Sequence, residues 1–100
     1  MKIEHKIEKI IYKAIEEINN ELKLNMEKSL DTKILGGNSQ LDSLGIFSFV
    51  LEIEKRIEED FKIEISLINN EFIDNDSDHL DNVEKLRSFI IAKIKINRNS

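Results

Sequence analysis

The feature that most constrains this chain is the spacing of Ile46, Phe49, Val50, Ile53, Ile57 and Phe61, which recur at steps of three and four residues. That spacing belongs to an amphipathic helix with a buried face. It is expected over residues 43 to 60 or 61. At its start stand Asp42 and Ser43, either of which can cap it, because a short side-chain oxygen accepts from the free amides of the first turn. At about 100° per residue, Ile46, Val50, Ile53, Ile57 and Phe61 point one way. Leu44, Phe47 and Leu51 form a second stripe about 120° around the cylinder, and it continues to Glu54 and Glu58. Two readings of that stripe stand. The helix is buried on two sides, or the stripe is a docking strip, apolar beside Ser43 and acidic further along, whose carboxylates steer a basic partner.

Two further helices follow from the same pattern. In residues 2 to about 24, Ile3, Ile7, Ile10, Ala14, Ile18 and Leu22 step by threes and fours, with Ile11 and Ile15 widening the apolar side. Glu4, Lys6, Glu8, Lys9, Lys13, Glu16 and Glu17 fill the rest, several as opposite-charge pairs one turn apart. His5 among them reads as solvated. The last helix is expected from an Asp81 cap, with Glu84 three residues on as a variant capping box. Its apolar face is Val83, Leu86, Phe89, Ile90 and Ile94, with Ile91 and Ile96 beside it, and residues 97–100 form a frayed tail.

Between these helices the signals are weaker. Residues 25–40 make a long connection, pinned by Met26, Leu30, Ile34, Leu35 and Leu41. Its Gly36-Gly37 pair reads as a turn, since no Gly-x-x-x-x-Gly-Lys phosphate loop is present. Residues 62–65 alternate like a strand but have no partner strand, so they read as extended linker with Ile63 and Ile65 inward. Ser66 can cap a short helix to 72 or 73. The acidic run at 74–78 lacks the glycine and glutamate of a calcium loop and reads as solvated, with His79 exposed after it. The expected fold is all-α, one domain over residues 1–100, a small four-helix bundle of three long helices and one short.

Composition narrows the function. There is no cysteine, hence no disulfide, zinc cluster or thiol nucleophile, and any thiol must come with a cofactor. The formal net charge is −5 and the basic residues are scattered, which argues against nucleic-acid binding. Apolar runs are too short for a membrane span or signal segment, so a cytoplasmic monomer is expected. Ser43 has no histidine near it in sequence, and no Gly-x-Ser-x-Gly elbow exists, so the chain does not read as an enzyme.

The stretch 31–45, with Asp42-Ser43-Leu44 at a loop-to-helix junction followed by this helix, resembles the acyl carrier and peptidyl carrier protein family. The likeness covers nearly the whole chain. It implies the four-helix bundle of that type, with 4′-phosphopantetheine attached covalently to Ser43 and acyl or aminoacyl cargo held on its thiol as a thioester. Asp42 would assist the phosphopantetheinyl transferase and its metal. Leu44, Phe47 and Leu51 would meet partners beside the arm, with Glu54 and Glu58 steering them. The partners implied are that transferase, a loading enzyme for acyl or aminoacyl groups, and a downstream transferase or synthase. Two departures point to a dedicated biosynthetic pathway and away from housekeeping fatty-acid synthesis. The second helix is about one turn longer than in common fatty-acid carriers, and Gly45 stands where an acid is usual. The alternative is an unmodified helical protein–protein interaction module that presents the same strip.

Overall fold

The first helix touches both of the others, and the width of its apolar face is the reason. Helix α1 (Ile3–Leu22) buries Ile7, Ile10, Ile11, Ala14, Ile15 and Ile18. At about 100° per residue these span roughly 140° of its circumference, enough for two neighbours. Helix α2 (Ser43–Phe61) and helix α3 (Val83–Arg98) pack against it. The computed structural model describes residues 2–34, 40–65, 67 and 81–98. Among them the chain is a small all-helical bundle of three helices with no strand. The expected short helix from 66, the acidic run with His79, Leu35 and the Gly36-Gly37 turn lie outside the described residues.

The core is continuous and, Phe49 apart, aliphatic. Ile46, Phe49, Val50, Ile53 and Ile57 of α2 and Val83, Leu86, Ile90 and Ile94 of α3 join the α1 face, with Met26, Ile34, Leu41 and Leu67 closing it. Ile63 and Ile65 pack against it half-buried, as expected for an inward-facing linker. Phe61 is half-buried at the end of α2, and the Lys6 ammonium lies 5.8 Å from its ring centroid. No described helix is long and apolar enough to cross a membrane.

The long first connection is held by hydrogen bonds as well as by apolar anchors. Asn19, within α1, clamps Met26 in both directions: its Oδ1 accepts from Met26 N–H at 2.9 Å and its Nδ2 donates to Met26 C=O at 3.1 Å. Lys28 pairs with Glu16, and this contact holds the Glu16 carboxyl below its ordinary range. Asn25 N–H donates to Gln40 Oε1 at 3.0 Å, bringing the two ends of the connection together.

The same connection starts α3. A helix leaves its first four amides without intrahelical carbonyls, so their acceptors must come from outside it. Here Val83 N–H donates to Thr32 C=O at 3.1 Å and Glu84 N–H to Leu30 C=O at 3.0 Å. Lys85 N–H donates to Asn82 Oδ1 at 2.9 Å, and Leu86 N–H reaches Asn82 C=O at 3.1 Å. The cap is therefore Asn82 and not Asp81, the residue the sequence suggested. Asp81 sits one place further out, where its carbonyl accepts from Ile34 N–H at 3.2 Å. Both residues are good caps, and the loop carbonyls decide between them.

Helices α1 and α2 end without glycine. Lys23 (φ 57°) and Lys62 (φ 58°) take the left-handed conformation that closes each helix. Lys62 N–H donates to Glu58 C=O at 2.9 Å and Leu24 N–H to Asn19 C=O at 3.0 Å. A residue with a Cβ pays about 1 kcal/mol for that backbone, so local strain is accepted at both stops.

Candidate functional site

The loop enters α2 through Leu41, which is buried, and Asp42, whose extended backbone (φ −87°, ψ −175°) suits an N-cap. Asp42 Oδ1 accepts from Gly45 N–H at 2.7 Å and Asp42 C=O accepts from Ile46 N–H at 2.9 Å. Of the two cap candidates, Asp42 takes the role and Ser43 becomes the first residue of the helix. No acidic residue follows in the first turn of α2.

The two stripes of α2 have opposite fates. Phe49, Val50, Ile53 and Ile57 are wholly buried. Leu44 is 79 % exposed, and Phe47 and Leu51 are each 46 % exposed. The second stripe is thus exposed in the structure and does not share the complete burial of the first. Three large apolar side chains run along one exposed edge beginning next to Ser43. Scattered single exposed apolar residues are ordinary in any protein, so the information lies in their alignment.

Glu54 and Glu58 continue that edge but differ from each other. Glu58 is exposed. Glu54 is half-buried, and its Oε2 accepts from Leu67 N–H at 3.1 Å. Its carboxylate therefore fastens the segment that leaves α2, where Leu67 is buried. Leu51, Glu54, Lys55, Glu58, Glu64 and Ile65 line an open groove between α2 and that segment. The acidic end of the strip is one wall of this groove.

A third face of α2 looks toward α1. Arg56 Nε binds Glu52 Oε1 at 2.9 Å, and its Nη2 lies 3.9 Å from Glu17 Oε1 on α1. Gly45 shares this face one end up, seven residues before Glu52 and eleven before Arg56. It is buried. A Cβ there would stand 3.0 Å from Leu41 Cδ2, 3.2 Å from Asp42 Oδ1 and 3.3 Å from Leu22 Cδ1. By propensity alone glycine costs a helix about 1 kcal/mol relative to alanine, so its presence has to be explained by space. The signal in the sequence was that cost itself, a lone glycine inside an otherwise strong helical pattern.

Among the described residues no three His, Cys, Asp or Glu side chains gather to hold a metal ion. What the arrangement offers chemically is a serine at a helix start, an acidic cap before it and an exposed apolar edge after it. No family model, curated protein or solved structure matches the chain.

Proposed function

We propose that the chain is a cytoplasmic carrier protein of the acyl or peptidyl carrier type, with 4′-phosphopantetheine attached covalently to Ser43. The observation that carries the reading is the junction: Ser43 opens α2 directly after the Asp42 cap, and exposed Leu44, Phe47 and Leu51 lie beside it. The residues present fit the group. A phosphodiester on Ser43 would meet the positive end of the α2 dipole, beside the Asp42 carboxylate that caps it. When bound, the arm supplies the thiol that a chain without cysteine lacks, and acyl or aminoacyl cargo is held there as a thioester.

The chain's own residues attach and present. Asp42 caps the helix yet is exposed, so its carboxylate remains open to a docking phosphopantetheinyl transferase and its metal. The apolar edge serves that transferase, a loading enzyme and a downstream transferase or synthase in turn, while Glu58 adds a steering charge. The chemistry belongs to those partners. The long α2 and Gly45 favour a dedicated biosynthetic pathway over housekeeping fatty-acid synthesis. The exposed edge would serve an unmodified interaction module equally well, and that is the second reading.

Intact mass after incubation with coenzyme A and a promiscuous phosphopantetheinyl transferase separates the two. Wild type gains one phosphopantetheinyl group and Ser43→Ala gains none. A wild type that stays unmodified would leave the interaction module.

A further inference from the structure

We infer that Gly45 is a positioning residue for the modification of Ser43, an inference that rests on the carrier reading. The backbone at Gly45 is helical, so what the position demands is room and not conformational freedom. Three side chains crowd the place where a Cβ would be, at 3.0 Å (Leu41 Cδ2), 3.2 Å (Asp42 Oδ1) and 3.3 Å (Leu22 Cδ1). They differ in how far they can yield. Leu22, at the end of α1, is 45 % exposed and can swing outward. Leu41 is buried in the core, and Asp42 is tied to Gly45's own amide at 2.7 Å.

A methyl group at position 45 therefore pushes chiefly on residues 41 and 42, the two that lead directly into Ser43. Each must give by a few tenths of an ångström, and Asp42 Oδ1 can do so only by loosening its bond to the Gly45 amide, which slackens the turn that bears the serine. Phe47 and Leu51 lie beyond this turn and on another side of α2, so that part of the exposed edge is left as it was. A displaced nucleophile beside an intact docking edge has a distinct kinetic signature. Turnover falls while apparent affinity holds, because small misplacements of a reacting atom act on the transition state more than on binding. Loss of stability alone would not split the two constants in this way.

The test uses the full chain with coenzyme A and the same transferase, and follows exchange of the residue-45 amide by NMR. Gly45→Ala should lower kcat about tenfold with KM for the carrier within about twofold of wild type. Exchange of amide 45 should quicken while the helical circular dichroism spectrum is kept. Leu41→Val/Gly45→Ala, which withdraws the nearest of the three contacts, should recover most of the turnover and of the amide protection. Wild-type kcat and wild-type exchange in Gly45→Ala would overturn the inference. So would a loss that the double variant fails to relieve, or one that merely follows the unfolded fraction. Failure of the wild type itself to be modified would sink the carrier reading and Gly45's part in it together. A defect confined to Gly45→Ala beside a fully modified wild type concerns Gly45 alone.

Discussion

Replacing single residues of α2 with glutamate should separate the docking edge from the core by stability alone. Complete burial of a phenylalanine contributes about 1.5–3 kcal/mol. Phe47 keeps 46 % of its surface exposed, so little more than half of that is at stake. Glutamate is also the better helix former, which returns a few tenths. Phe47→Glu should therefore cost about 1 kcal/mol, a fall in Tm of about 4–8 °C for a domain of this size. Leu44 is 79 % exposed, and Leu44→Glu should stay within about 0.5 kcal/mol. Ile53 has no exposed surface. Ile53→Glu forfeits its apolar burial and also forces a carboxylate into an aliphatic core with nothing to pair it, a loss of more than about 4 kcal/mol. Set against the 5–15 kcal/mol typical of a whole domain, that removes a large share of the stability and should lower Tm far more than Phe47→Glu does. Thermal melts followed by circular dichroism read all three. If Phe47→Glu or Leu44→Glu melts as low as Ile53→Glu, the edge is core and the surface argument fails.

The remaining expectations are local. Glu58→Lys should slow association with the transferase at low ionic strength and lose its effect as salt rises, because exposed charges act mainly on encounter and are screened over about 10 Å; equal rates at low salt would remove Glu58 from the interface. Glu54→Lys should, in addition, speed hydrogen exchange at Leu67, whose amide it now holds, and unchanged exchange there would contradict the contact. Asn82→Ala should cost about 1 kcal/mol as a lost cap, and Asp81→Ala less, with the reverse order in melts restoring Asp81 as the cap. Lys62→Gly, at φ 58°, should raise Tm by relieving a left-handed residue, and a lower Tm would refute the strain.

What the sequence made legible was whatever depends on period. The three helices, the buried face of α2 and the existence of a second stripe all follow from steps of three and four. Whether that stripe was buried could not follow, because exposure depends on which neighbours arrive beside it. Glu54 shows the same limit. Its place on the stripe is a matter of angle, but its bond to Leu67 requires the chain to turn back thirteen residues later. The cap of α3 was misplaced by one residue for a related reason, since Asp81 and Asn82 are equally suited until Thr32 and Leu30 deliver their carbonyls. Gly45 read as a cost to the helix. Its explanation lies partly in Leu22, at the far end of another helix.

The central claim is that Ser43 carries a thiol-bearing arm, and a thiol titration tests it most directly because the chain has no cysteine of its own. Apo protein must give no reaction with a thiol reagent. After incubation with transferase and coenzyme A, and removal of the small molecules, the account predicts one thiol per chain for wild type and none for Ser43→Ala. Wild type without a thiol, or a thiol on Ser43→Ala, would contradict it.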